Sequence, residues 1–216
     1  MPRGVRKGLT PNIVLQAAFA IVDADGGDAF TMRRLASDLD VAAMAIYNHF
    51  ADRSAVLDAL AEYVFAAHVT HREQTDRTRK SSKALAWREN IRRIVMDVHS
   101  LALKHPHIFL LAISRPQKPE ALLQLMSSAM RSLRDAGLND RQAVTAYHSI
   151  VMMLQGFPYW HASMQRHCGN EATVAGRLHN PEMARDWKAL HGVEATTQFA
   201  RSLDWLLDSI EHTAKR

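Results

Sequence analysis

The chain has 216 residues, 47% of them hydrophobic and 23% charged, with a formal net charge of +5. Nine glycines and seven prolines are few for this length, which disfavours β-sandwiches and loop-rich scaffolds and favours long helices. A single cysteine, Cys168, excludes a disulfide framework or a multi-cysteine metal cluster and fits a reducing compartment. The longest apolar run, Val41–Tyr47, is far short of the roughly 18 residues a membrane span needs. No secretory apolar segment follows the basic N-terminus, so a cytoplasmic globule is expected.

Helical periodicity runs through nearly the whole chain. Thr10–Pro11 reads as a cap with proline at the first helical position, and Val14, Ala17, Ala18 and Ile21 mark one face. Asp25-Gly26-Gly27 stops that helix. Thr31 caps a short second helix with Met32, Leu35, Ala36 and Leu39 inward. A third, over about 42–48, buries Ile46 and Phe50. Asp52 caps a fourth, with Leu57, Leu60, Ala61 and Val64 inward. Thr70 to Lys83 holds no apolar residue and reads as the junction between two parts. Helices are then predicted from Ala84 to about Lys104, across Glu120–Ala136, from about Asp140 to Gly156 or beyond, and across about Ala195–Lys215. Pro106, Pro116 and Pro119 punctuate the stretch between, Pro158 is expected to kink or end its helix, and Gly169–Pro181 reads as a loop. The expectation is an all-α chain with no strands and no internal repeat.

Charge is uneven. Arg3, Arg6 and Lys7 give the first ten residues +3, and residues 72–104 carry nine basic against four acidic side chains, leaving −3 for the remainder. Such a balance permits nucleic-acid partners without proving them. The 72–104 excess reads as a solvated face.

Residues 31–57, TMRRLASDLDVAAMAIYNHFADRSAVL, decide the reading. A capped helix, a turn at Asp40–Val41, a short helix ending Tyr-Asn-His-Phe and another capped helix form a helix-turn-helix, whose second helix enters the major groove. Arg33 and Arg53 can reach phosphates or bases, and Tyr47 and His49 can donate to phosphate. The free amides that begin the fourth helix can receive another.

This stretch closely resembles the DNA-binding domain of the TetR family of transcriptional regulators. Thr31, Leu35, Ala36, Leu39, Val41, Tyr47, His49 and Phe50 match its motif; Asp40 stands where glycine is usual, and Arg53 where lysine is usual. The resemblance implies DNA contacts from Thr31, Arg33, Ala43, Met44, Ala45, Tyr47, Asn48, His49 and Arg53. Ala43, Met44 and Ala45 carry no hydrogen-bonding side chain, so specificity is expected to lean on Arg33, Asn48 and apolar contact with thymine methyls. The tail Arg3–Lys7 resembles a minor-groove arm and reads equally as a charged end.

The resemblance extends, more weakly, to the tetracycline repressor's own subfamily, including Ser114-Arg115-Pro116 before a long helix. It implies a domain at 1–65 that binds DNA and one at 66–216 that binds an effector and dimerises. The repressor's magnesium-binding histidine falls here on Leu111, and its drug-holding asparagine on Ile94. No acidic residue lies between Asp140 and Glu171, which argues against magnesium–tetracycline. The implied pocket, Ile94, Val98, Leu111, Val144, Tyr147, Val151 and Trp160, suits an apolar or aromatic effector. Met126, Met130, Met152, Met153 and Met164 would give this half a soft interior, or simply fill its core. The last helix has a stripe of Leu203, Leu207, Ile210 and Ala214, with Phe199, Trp205 and Leu206 outside it. The family pairs that helix with the one over about 140–157 in a dimer.

The expected function is therefore a dimeric, ligand-responsive repressor acting on a palindromic double-stranded operator, with no cofactor, metal or membrane. Rivals are a metal-responsive regulator and a helical interaction protein without operator binding. His68, His71, His105, His107 and His167 complete no recognised ligand set. Neither a nucleophile elbow nor a phosphate-cradling glycine loop is present, so no enzyme is expected.

Overall fold

A computed structural model describes residues 8–76, 83–116, 118–167, 180–191 and 194–215, and within its helices the side chains of 67–76, 83–85, 158–167 and 190–191 are left aside. The described residues form ten α-helices and no strand: α1 (Pro11–Asp25), α2 (Met32–Asp38), α3 (Ala43–Tyr47), α4 (Arg53–Asp76), α5 (Lys83–Lys104), α6 (Pro106–Ser114), α7 (Glu120–Asp135), α8 (Asp140–His167), α9 (Pro181–His191) and α10 (Ala195–Ala214). A single 3-10 turn, Gly27–Ala29, joins α1 to the segment entering α2.

Contacts divide the chain into two compact units. One holds residues 1–80 with 101–127, the other 81–100 with 128–216. In the first, α1, α2, α3 and α4 close on a core of Val14, Ala18, Val22, Phe30, Leu35, Ile46, Val56 and Leu60, all fully buried. Helix α6 packs on both α1 and α4 and adds Ile108, Phe109 and Ala112 to that core. In the second unit the buried face of α10 is Phe199, Leu203, Leu207 and Ile210. Phe199 thus belongs to the stripe, four residues before Leu203, while Trp205 stays outside it.

Several boundaries differ from the sequence expectation. Helix α4 continues to Asp76, well into the apolar-free stretch, because Arg, Glu and Gln are good helix formers and neither glycine nor proline interrupts them. Helix α8 passes through Pro158 to His167; one missing amide donor does not end a helix that other contacts support. Helices α6 and α9 were not expected. Each starts with proline at its first position, where the lost amide bonds nothing in any case. Asn180 caps α9, accepting from the amides of Glu182 and Met183 at 2.8 and 3.4 Å.

Part of the basic excess in 72–104 is internal. Arg88 reaches Asp208 at 2.7 Å and Glu211 at 3.6 Å, and Arg92 reaches Asp204 at 3.1 Å, tying α5 to α10. The tail Arg3–Lys7 lies outside the described residues.

Candidate nucleic-acid interface

Three side-chain caps set the helix starts in the first unit. Thr10 accepts from the Ile13 amide at 3.3 Å, Thr31 from the Arg34 amide at 3.1 Å, and Asp52 from the Ala55 amide at 2.8 Å. Between α2 and α3 the chain turns at Asp40, the only non-glycine residue among those described with positive φ, at 51°. The Val41 amide returns to the Ala36 carbonyl at 3.0 Å and the Asp40 amide to that of Ser37 at 3.1 Å. That pair of bonds is the Schellman closure of a helix end. Aspartate takes the left-handed position that the family's glycine usually holds, as its short polar side chain allows.

Helix α3 is one and a half turns long and cannot persist by itself. Ile46, with no exposed surface, pins it to the core, while Ala43, Met44, Tyr47, Asn48 and His49 face solvent and Ala45 is half-buried. Met44 is 71% exposed and Tyr47 44%. Thr31 and Arg33 are exposed on the neighbouring α2. Arg34, the next residue, pairs with Asp25 at 2.5 Å, whereas Arg33 has no ion-pair partner among the described residues. The result is a polar and sulfur-bearing ridge on a rigid base, a shape that can enter a groove.

Arg53 is held differently from its neighbours. Its Nε donates to the Phe30 carbonyl at 2.8 Å and its Nη2 to the Gly27 carbonyl at 2.6 Å, and its guanidinium lies 5.9 Å from the centre of the Phe30 ring.

The same unit fastens residues 101–127 to α1 and α4. His105 Nδ1 lies 2.9 Å from the Asp23 carboxylate, and His107 Nδ1 donates to the Asp23 carbonyl at 3.0 Å. Arg115 donates to Asp58 at 2.6 Å and also to the Ser54 hydroxyl. The Asp58 hydrogen bond holds the Arg115 guanidinium even above its ordinary value, against burial. Glu62 caps α7, its carboxylate accepting the amides of Glu120 and Ala121 at 2.5 and 3.3 Å. A cleft of about 760 Å³ lies among Gly27, Asp28, Arg53, Leu57, His107 and Leu111. Sequence reasoning saw Ser114-Arg115-Pro116 only as a landmark and missed this role of Arg115.

Of the residues expected to line an effector pocket, Leu111 lies in this first unit, beside that cleft. Ile94 and Val98 are buried on α5. On α8, Val144 is 44% exposed, and Tyr147 and Val151 are half-buried; burial raises the Tyr147 phenol above its ordinary value, so it remains a donor. The side chain of Trp160 lies outside the described residues. A cluster that sequence reasoning missed sits in the second unit: His99, almost fully buried, stacks on Phe199 at 3.8 Å, and Phe157 lies 5.5 Å from His99 and 5.2 Å from Phe199. One histidine at helical spacing among apolar residues gives no signal that it faces two rings.

Among the described residues no three His, Cys, Asp or Glu side chains are grouped to hold a metal. The side chains of His68, His71 and His167, and Cys168, lie outside the described residues. No described helix is long and apolar enough to cross a membrane.

Two family models match: that of bacterial regulatory proteins of the tetR family over residues 14–60, and that of the tetracycline repressor-like C-terminal domain over 81–214. The chain belongs to the TetR family. It is 26% identical over 161 residues to the HTH-type transcriptional repressor DrrR1 of Streptomyces coeruleorubidus, covering 72% of this chain and 53% of that one. It is 31% identical over 148 residues to the class A tetracycline repressor from transposon 1721 of Escherichia coli, covering 68% and 65%. The chain thus spans about half to two thirds of the length of these TetR-family relatives. In fold it matches apo ActR of Streptomyces coelicolor with a TM-score of 0.76 at 21% identity, over 98% of this chain and 99% of that one. ActR in complex with actinorhodin matches at 0.70 and 22%, over 96% and 99%.

Proposed function

We propose that this TetR-family chain is a dimeric, ligand-responsive transcriptional repressor in the cytoplasm. Residues 1–65 read a palindromic operator, and residues 66–216 bind the effector and dimerise. The observation that carries the reading is the exposed ridge of Ala43, Met44, Tyr47, Asn48 and His49 on a helix fixed by the fully buried Ile46. Tyr47, His49 and Thr31 take phosphates; Arg33 and Asn48 read base edges; Ala43, Met44 and Ala45 pack on thymine methyls. Repression is supported by the names of the curated relatives.

A dimer is supported by apolar surface that one chain leaves uncovered. Met152 is 72% exposed on α8 and Trp205 80% on α10, two helices in contact with each other. Two chains present two recognition helices about 34–36 Å apart, one turn of duplex. Sedimentation at micromolar concentration giving only a 24.3 kDa species would remove the dimer.

The effector we propose is apolar or aromatic, held in the second unit by Ile94, Val98, Tyr147 and Val151. Tyr147, as a retained phenol donor, supplies one of few polar handles. The relative ActR has been solved with the small molecule actinorhodin, which supports ligand response in this fold. Induction requires that the effector bind one spacing of the recognition helices better than the other, since equal affinity shifts nothing.

The test is fluorescence anisotropy on the upstream intergenic duplex in rising salt, with a random duplex as control. Specific binding that survives salt abolishing the control supports the reading. Equal, weak binding to both, followed by failure of random-pool selection to enrich any sequence, would leave a helical interaction protein.

A further inference from the structure

We infer that Arg53 is a positioning residue rather than a phosphate contact, a clamp that holds the entry to α2 against the exit from α3. The inference rests on the DNA-reading function above and departs from the expectation that Arg53 replaces a DNA-contacting lysine. Arg53 opens α4, directly after the loop that leaves the recognition helix. Gly27 and Phe30 lie in the segment that ends at Thr31, the cap of α2. Two donors of one planar guanidinium therefore bridge the two ends of the helix-turn-helix, at 2.6 and 2.8 Å. The fully buried Phe30 ring beneath it adds a cation–π contact at 5.9 Å.

The geometry favours arginine. An ammonium can reach two carbonyls, as Lys118 does with those of Ile113 and Arg115, but it has no flat face to lie over the Phe30 ring while two fixed edges donate. Among the described residues no other donor reaches the Phe30 carbonyl, and the Gly27 carbonyl receives in addition the Phe30 amide at 3.2 Å. Turning the guanidinium toward a phosphate would break two charge-assisted bonds, which are stronger than neutral ones. It would also loosen the segment that sets the distance from Arg33 to Tyr47. The clamp thus acts on base reading through the angle between α2 and α3.

The experiment compares full-length wild type, Arg53→Lys and Arg53→Gln on the duplex selected from a random pool, across a salt series, with circular dichroism showing each variant folded at the assay temperature. The clamp predicts that both variants bind on the order of tenfold more weakly, with the slope of log K against log salt unchanged. A phosphate contact predicts the opposite: Arg53→Lys retains affinity and Arg53→Gln lowers the slope by about 0.9. A purely structural residue would lower the melting temperature of both variants and leave the affinity of the folded protein intact. Hydrogen–deuterium exchange of the free protein separates failure of the clamp from failure of the DNA reading. Faster exchange over residues 27–31 and 43–52 in both variants supports the clamp even if the wild type reads no DNA. Unchanged exchange overturns it.

Discussion

Replacing Asp40 probes the turn on which the relative setting of α2 and α3 depends. Its φ of 51° lies in the left-handed region, where a side chain costs roughly 1–2 kcal/mol, with aspartate at the lower end. Glycine removes that cost but adds roughly 0.5–1 kcal/mol of unfolded-chain entropy. Asp40→Gly is therefore expected to be neutral or to stabilise by up to about 0.5 kcal/mol. Valine, branched at Cβ, has no local hydrogen bond to offer, so Asp40→Val should cost about 2 kcal/mol through strain at a special backbone position. In a chain of this size about 2 kcal/mol corresponds to a fall of roughly 4–8 °C in melting temperature. Urea unfolding monitored by tryptophan fluorescence reads both variants, with an unchanged m-value as the sign that only stability has moved. If Asp40→Val lies within a few tenths of a kcal/mol of wild type, or Asp40→Gly is clearly destabilising, the left-handed closure is not what sets this turn.

Truncating Ile46 to alanine should cost about 2–5 kcal/mol and abolish operator binding before global unfolding, which anisotropy and urea melts on one sample would show. Asp58→Asn removes the charge facing Arg115, and because Asp58 is more than a third exposed the expected loss is only about 1 kcal/mol; a loss above about 3 kcal/mol would mean that the group is effectively buried. Glu194 accepts two amides and a hydroxyl at the start of α10, which lower its carboxyl to about 2. Its folded value lies below the unfolded one, so its contribution is present above about pH 4.5 and is lost as pH falls toward 2. Helicity measured down that range should fall more steeply in wild type than in Glu194→Gln. Trp205→Lys should raise the dimer dissociation constant by at least tenfold in sedimentation, with the monomer still folded.

The N-terminal helices were legible because each announces itself locally. Threonine or aspartate caps α1, α2 and α4, apolar residues follow at helical spacing, and the Asp40 turn marks off the uncapped α3 from α2. Helix α6 was hidden because Ile108–Ile113 is apolar on every side and offers no periodic contrast, so its prolines read as punctuation. The start of α9 was present in Asn180-Pro181-Glu182 but was absorbed into an expected loop. Arg53 shows a different limit. Residue type and motif position indicate a cation near DNA, but only coordinates reveal that its donors turn inward to Gly27 and Phe30. The pairing of Arg88 and Arg92 with acids more than a hundred residues later is equally invisible to charge counting.

The attachment of residues 101–127 to α1 and α4 bears on how such regulators can be recombined. A reading head cut at residue 65 would leave bare the surface that Ile108, Phe109 and Ala112 cover, and would strand Asp58 and Glu62 without Arg115 and the α7 amides. The portable module is discontinuous. A chimera that gives this head a new sensor must carry α6 and the first half of α7 with the head and change the sensor around them.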